Sequence, residues 1–396
     1  MVRKQIAVEQ LQFGMYVAEL DRPWTDTPFM FQGFHLRTDQ QLNALRKFCK
    51  HVFVDLERSE HLRAPAAEFP IKGTTAYPER AAVETEFHPA AQEYDRLLET
   101  LTALLKPAAT QGGVLDAKEV KESVKRLADS VVRNPDAMLL VTRLREQSAA
   151  AHSRALQVSI YLLVFARFLQ LRRDELELLG LLGLLQDIGK TRLPPELLAR
   201  EGPLRAEENE LAKRHVEYSA EILAATPGLP PRLAELALLH HERQDGSGYP
   251  RALKGAEIGL YGAMAAIVDT FEALTAARSE AEPLSPSAAL SYLYKERGTG
   301  YHAELVEQFI QCVGAFPVGS VVELNSGEIG IVITQNLVRR LKPRVMVVLD
   351  AKGDPMRPHK ILDLDKDPQV APEEPYRIRR TLEQTKVRVD PRELFL

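Results

Sequence analysis

The chain has 396 residues, room for two or three domains, and its 45% hydrophobic and 27% charged residues are the balance of a globular protein that buries a core. A formal charge of -4 excludes a global basic field for holding a nucleic-acid polymer, so a small anionic ligand needs a local basic pocket. Two distant cysteines, Cys49 and Cys312, make neither a disulfide framework nor a zinc knuckle and fit a reducing cytoplasm.

The N-terminal MVRKQIAVEQ lacks the apolar run of a signal peptide. IAVEQL and MYVAEL read as extended, DQQLNALRKFCK as a helix with Leu42, Leu45 and Phe48 on one face, and HVFVDL as a strand. Trp24, Phe29, Phe31 and Phe34 are expected to form a small hydrophobic core. These elements make a small α/β domain over residues 1–62. From Arg63 to Pro89 the Ala, Pro, Glu and Thr content is that of a linker, and the segment 63–115 is expected to carry one helix, QEYDRLLETLTALLK, stopping at Pro107.

Asp116 and Glu119 resemble a capping box at the start of a strong helix, with Val120, Val124, Leu127 and Val131 at helical spacing and a stop at Asn134-Pro135. Residues 116–315 read as helical. IYLLVFARFLQL and LELLGLLGLLQDIGK are broken by Arg167 and by Gln186 and Asp187 and fall short of the ~20 apolar residues of a spanning helix. They are expected to be buried, with no membrane segment. Over 316–396, VVELNSGEIGIVI is two alternating runs around Asn325-Ser326-Gly327, a hairpin signal, and RVMVVLD adds a third strand. The fold class is therefore multidomain and mainly α, with a small α/β N-terminal domain and a β-rich C-terminal segment.

Four of the ten histidines, His152, His215 and the pair His240-His241, lie in the helical region. Asp187 closes an apolar helix and Asp269 sits inside another, AAIVDTFEAL. A carboxylate in such surroundings is expensive unless it is paired or meets a cation. Two of them with four histidines point to a divalent transition metal such as Fe, Mn, Zn or Ni. Directly after His240-His241, the loop Asp245-Gly246-Ser247-Gly248-Tyr249-Pro250 combines glycine freedom with a proline stop, and its place behind the histidine pair suggests part of a site.

These segments make the chain resemble the HD-GYP proteins, a branch of the HD phosphohydrolase superfamily that hydrolyses cyclic di-GMP. HHERQDGSGYPRAL is close to the signature H-H-E-R-x-D-G-x-G-Y-P. LLQDIGKTRLPPELL matches the H-D-x-G-K segment except at its histidine, where Gln186 stands. KRHVEYSAEIL and IVDTFEALTAAR match the intervening histidine helix and the helix of the last aspartate. Residues 1–62 resemble the small domain of unknown function that often precedes HD-GYP in bacteria, and VGSVVELNSGEIGIVI resembles the β-rich tail. The resemblance implies an HD-type helical bundle holding two divalent ions, or one only. By position, it implies metal ligation by His152, Asp187, His215, His240, His241 and Asp269, and catalysis by Asp187 and Lys190. It also implies substrate contacts from Lys190, Arg278, Gly248, Tyr249 and Pro250. A homodimer and a partner protein docked through the Gly-Tyr-Pro loop, such as a diguanylate cyclase, are compatible with it.

Four departures qualify the resemblance. Gln186 offers only a neutral carbonyl oxygen, a weaker ligand than imidazole. The approach to His152, LREQSAAAH, lacks an acidic and aromatic run, SEA follows Arg278 in place of a proline-tyrosine-basic run, and Glu272 replaces a common aspartate. Two readings stay open: hydrolysis of cyclic di-GMP to pGpG or GMP, and a degenerate module that binds the nucleotide or a signalling partner without turnover.

Overall fold

The structure, a computed structural model, describes residues 3–23, 27, 29, 33–36, 38–55, 59, 69–108, 114–145, 151–198, 200, 202, 204–276, 283–382 and 395. At residues 40, 102–108 and 151–153 it describes the backbone. The N-terminal strands β1 (Arg3–Ala7), β2 (Tyr16–Leu20), β3 (Phe34–His35) and β4 (His51–Asp55) form an antiparallel sheet in the order β1-β4-β2-β3. Helix α1 (Asp39–Phe48) starts on a capping box in which Thr38 Oγ1 accepts from the Gln41 N–H and Gln41 Oε1 accepts from the Thr38 N–H, each at 3.2 Å. Val17, Leu36, Leu45, Val52 and Val54 are sealed between helix and sheet. Phe29 stacks on Phe34 at 4.7 Å, while Trp24 and Phe31 lie outside the described residues.

The segment with linker composition behaves differently from expectation. Residues 69–82 run as an extended strap on the helical body, with Gly73 N–H and Thr75 N–H donating to the carbonyls of Leu169 and Gln170 at 2.8 and 3.0 Å. Helix α2 (Val83–Ala108) then begins inside the presumed linker and ends just past Pro107. Its first turns are held by tertiary packing rather than by propensity: Val83, Phe87 and Ala90 are buried in the main core. Glu86 meets Arg133 Nε and Nη2 at 2.8 Å each and Ser130 Oγ at 2.7 Å.

The helical body continues through α3 (Ala117–Arg133), α4 (Pro135–Arg145), α5 (Ala151–Phe168), α6 (Arg173–Leu185), α7 (Pro195–Leu198), α8 (Ala206–Lys213) and α9 (His215–Ala225). It closes with α10 (Arg232–Ala237), α11 (Gly259–Thr275), α12 (Pro286–Lys295) and α13 (Ala303–Val313). Asp116 caps α3, its side chain accepting from the Lys118 and Glu119 N–H groups, and Asn134 ends it. The central stretch of α5, residues 156–166, and the second half of α6, residues 179–185, are buried nearly all round because they occupy the centre of the bundle. The stretch Gly255–Thr275, long and apolar enough to cross a membrane, is mostly buried inside the fold and serves as a core helix.

At the C-terminus β5 (Val321–Leu324), β6 (Ile329–Thr334), β7 (Arg344–Leu349) and β8 (Pro355–Asp363) form a meander. A short pair, β9 (Gln369–Ala371) with β10 (Glu374–Pro375), precedes β11 (Ile378–Leu382), which completes a five-stranded sheet in the order β11-β5-β6-β7-β8. One face of this sheet, through Val321, Ile331, Ile333, Met346 and Val348, joins the core of the helical body. The Asp136 carboxylate at the start of α4 accepts from the Gln335 N–H at 3.0 Å across that junction.

Candidate metal centre

Asp187 stands where α6 gives way to the 3-10 turn Ile188–Arg192. That turn lies against α9 because residue 189 is glycine. A Cβ there would sit 2.1 Å from the His215 carbonyl oxygen and 2.4 Å from the Ser219 nitrogen. The Gly189 N–H donates to Ser219 Oγ at 2.8 Å and fixes the contact. His215 opens α9, His240 and His241 come shortly after α10, and Asp269 lies within α11.

The imidazoles are aimed by their own backbone. His215 Nδ1 donates to the Ala212 carbonyl at 2.7 Å and His240 Nδ1 to the Ala237 carbonyl at 2.8 Å. A carbonyl only accepts, so each ring turns Nε2 towards the pocket. His215 Nε2 is 3.1 Å and His240 Nε2 3.6 Å from Asp187 Oδ1. All three atoms are buried without a hydrogen-bond partner. With His241 they form a set whose ligating atoms lie within 4.8 Å of one another. Lone pairs converging out of reach of water are costly unless a cation lies among them. Nitrogen and carboxylate donors that hold an ion through bonds of ~2.0–2.2 Å suit a divalent transition metal, and the residues present fit one such ion.

Electrostatics agree with that use. Burial opposes the charge on Asp187, but Lys190 and then His215 and His240 outweigh it and hold the carboxyl well below its ordinary range. Burial, followed by the neighbouring His240, pushes the His241 imidazole far below the usual histidine range, into the neutral form that ligates metals. The expected phosphate-facing Lys190 donates to Asp187 Oδ2 at 2.7 Å, so only Oδ1 of that carboxylate faces the histidines.

A second group of charges adjoins the histidines. Arg154, on α5, places Nη2 2.9 Å from Asp269 Oδ1 and Nε 2.5 Å from Glu272 Oε2. Gln186 Nε2 donates to the same Asp269 Oδ1 at 3.3 Å, while its own Oε1 is buried and unpartnered. Asp269 Oδ2 lies 4.0 Å from His241 Nδ1. Burial works against the Arg154 charge, but Asp269 and then Glu272 outweigh it and push the guanidinium above its ordinary range. The side chain of His152, at the second position of α5, lies outside the described residues, as does Arg278. Among the described side chains of α5, Arg154 reaches the pocket.

The Gly-Tyr-Pro loop closes one side. Gly248 passes so near the preceding turn that a Cβ would meet Arg243 N, Glu242 Cα and the His241 carbonyl oxygen at 2.5 Å. The Tyr249 ring stacks on His241 at 4.7 Å with 25° between planes, and its N–H donates to the His241 carbonyl at 3.3 Å. Buried Glu242 holds the loop beyond Pro250, accepting from the Arg251 and Leu253 N–H groups at 2.8 and 3.0 Å. Sequence reasoning misses Arg154, Glu242 and Ser219. Only Arg154 carries a signal, a charge on the otherwise apolar ALQVSIYLLVF helix.

Comparison with known proteins matches three family profiles to this architecture. An HD domain profile covers residues 138–305, a domain of unknown function (DUF3391) covers 3–151, and a KOW domain associated with HD domain covers 321–371. The class is thus an HD-domain protein. A cyclic di-GMP phosphodiesterase of Pseudomonas aeruginosa, PA4108, is 30% identical over 371 residues, spanning 92% of this chain and 89% of the relative. A cyclic di-GMP phosphodiesterase of Thermotoga maritima is 39% identical over 128 residues, 32% of this chain and 35% of that protein. The 3'3'-cGAMP-specific phosphodiesterase 2 of Vibrio cholerae is 32% identical over 200 residues, 50% of this chain and 36% of its own. The solved structure of Bd1817, a HDG"Y"P protein from Bdellovibrio bacteriovorus, aligns with a TM-score of 0.45 at 13% identity, covering 78% of this chain and 98% of that one. The chain belongs to the HD-GYP family of HD-domain proteins.

Proposed function

We propose that this protein is a metal-dependent phosphodiesterase acting on a cyclic dinucleotide, with cyclic di-GMP as its substrate. The observation that carries the reading is the convergence of Asp187 Oδ1, His215 Nε2 and His240 Nε2 as buried atoms without hydrogen-bond partners. The named activities of the Pseudomonas and Thermotoga relatives supply the substrate. A divalent ion held by Asp187, His215, His240 and His241, when bound, lowers the pKa of water towards ~7 and offsets charge on a phosphoryl group.

The chain's own residues divide the remaining work. Asp187 gives one oxygen to the histidine cluster and keeps Lys190 at the pocket edge with the other. Lys190, 35% exposed at its side chain, meets a non-bridging phosphate oxygen, and Arg278 is assigned a second such contact from its position in the sequence. Tyr249 covers His241 and keeps water from that side of the pocket. The product is pGpG, or GMP after a second cut.

One observation favours a second reading, binding without turnover: Gln186 points an amide donor, not a metal ligand, at Asp269. The full chain, stripped with chelator and reloaded with Mn2+ or Fe2+, separates the two. It is incubated with cyclic di-GMP or 3'3'-cGAMP, with products resolved by chromatography and binding measured by calorimetry. Metal-dependent appearance of pGpG or GMP supports hydrolysis, and binding without product supports the second reading. Neither binding nor product refutes both.

A further inference from the structure

We infer that Arg154 is a phosphate-binding residue of this pocket: its guanidinium, held on Asp269 and Glu272, meets a non-bridging oxygen of the phosphodiester at the histidine cluster. The inference rests on the metal-dependent phosphodiesterase reading above and adds a substrate contact to that same site.

Arg154 stands at the head of the apolar run ALQVSIYLLVF, and a charge there is costly unless anions meet it. Two do, both from α11. Nη2 lies 2.9 Å from Asp269 Oδ1 and Nε 2.5 Å from Glu272 Oε2. Those carboxylates are sealed, 5% and 2% exposed at their side chains, yet the arginine they hold is 28% exposed. Nε is buried and Nη2 is engaged, whereas Nη1 has no hydrogen bond from the described residues and is not sealed. A guanidinium is a rigid planar fork, so pinning Nε and Nη2 fixes where Nη1 stands. A counter-ion serving the two carboxylates alone needs no open end; a ligand contact does.

That open end adjoins the histidines. Asp269 Oδ1 accepts from Arg154, while Oδ2 lies 4.0 Å from His241 Nδ1. Asp187 is arranged alike, with Oδ2 accepting from Lys190 and Oδ1 facing His215 and His240. Each aspartate thus joins a partly exposed protein cation to the histidine cluster, and Arg154 is built into the pocket as Lys190 is. The Arg154 charge is also felt at Asp187 and at Tyr249, whose ring stacks on His241. An anion lying at the histidines is therefore within electrostatic reach of it. The guanidinium keeps its charge at any working pH. A donor fixed before the substrate arrives needs no reorganisation as charge builds on the phosphoryl oxygens.

Arg154→Lys tests this without recourse to activity, because it keeps a cation for the carboxylates and removes Nη1. Full-length native and variant chains are loaded with Mn2+. Metal affinity is read by competition with a chelating dye, and binding of inorganic phosphate by calorimetry. The variant is expected to hold Mn2+ with native affinity and to bind phosphate about 10–100-fold more weakly, the worth of one charge-assisted hydrogen bond. Where the variant does not fold, native crystals soaked in Mn2+ and phosphate decide, with a phosphate oxygen expected ~2.7–2.9 Å from the Arg154 guanidinium. Four results each overturn the inference alone. They are no phosphate binding by the Mn2+-loaded native chain, native phosphate affinity in the folded variant, a loss of Mn2+ affinity that matches the loss of phosphate affinity, and a phosphate in the crystal that does not touch Arg154. A native chain that binds no Mn2+ is a different failure, which overturns the metal reading and the inference with it.

Discussion

Replacing Gly189 with alanine tests whether the fold positions the metal ligands through one tight contact. The added Cβ would lie 2.1 Å from the His215 carbonyl oxygen and 2.4 Å from the Ser219 nitrogen, both backbone atoms, where ordinary contact begins at 3.4 Å. The turn Ile188–Arg192 must back away from α9 by more than an ångström, and the Gly189 bond to Ser219 Oγ at 2.8 Å breaks. Overpacking costs about 1–3 kcal/mol and the lost hydrogen bond about 1 kcal/mol, so the variant is expected to lose about 2–4 kcal/mol of stability. Asp187 precedes the turn by one residue and moves with it, away from His215 Nε2. Metal sites tolerate about 0.2 Å in ligand distance, so Mn2+ or Zn2+ affinity is expected to fall at least ~10-fold, ~1.4 kcal/mol.

Denaturant unfolding and calorimetric metal titration measure the two effects separately. Gly180→Ala is the control. The atoms nearest its Cβ would be side-chain atoms, Val124 Cγ1 at 2.7 Å and Leu163 Cδ2 at 3.0 Å, so it is expected to destabilise the core and leave metal affinity intact. A folded Gly189→Ala protein with native metal affinity would refute the claim that this contact sets the ligand geometry.

Three further outcomes are expected. His240→Ala and His215→Ala each remove a ligand whose Nε2 is aimed by a backbone carbonyl, and metal affinity measured by competition with a chelating dye should drop by more than the ~10–100-fold typical of losing a group that merely supports a ligand. Asp136→Asn should change the pH dependence of stability. Burial pushes the Asp136 carboxyl up to about 7, so its protonated form contributes stability that is complete below the ordinary carboxylate range and lost as pH rises through about 7. At ~1.4 kcal/mol per pKa unit the loss is up to roughly 4 kcal/mol; urea midpoints between pH 5 and 8 should fall in the native chain and stay flat in the variant, and parallel profiles would refute the assignment. Glu86→Ala leaves the buried Ser130 Oγ without its partner and the Arg133 guanidinium, 40% exposed, to solvent, and should cost about 1–3 kcal/mol in chemical denaturation, whereas a true linker residue would cost almost nothing.

That last contrast marks where the sequence is misleading about the fold. The start of α3 is legible because Asp116 and its partners are adjacent in the chain. The nine residues of α2 before Gln92 are not, because Ala, Pro and Glu give them linker composition while their helix is held by Arg133 and by the buried Val83 and Phe87. The hairpin β5–β6 is legible from Asn325-Ser326-Gly327, but the strand that completes the sheet beside β5 is β11, more than fifty residues on. Prolines at 355 and 358 hide β8, which tolerates them as the edge strand.

The candidate site divides in the same way, by whether a charge finds its partner nearby or far along the chain. A carboxylate inside an apolar helix demands a cation, and that rule singles out both Asp187 and Asp269. It does not name the cation. For Asp187 the protein's share is local, Lys190 three residues on, and the histidine nitrogens facing its free oxygen leave the rest to a metal. For Asp269 the nearest positive charge is Arg154, 115 positions earlier and on another helix. An arginine on an apolar helix raises the same demand with the opposite sign, so pairing buried charges of α5 and α11 before invoking metal would have identified the couple. What a sequence shows here is the number of buried charges of each sign; which of them cancel within the protein, and which leave a residue for an ion, is decided by how the helices meet.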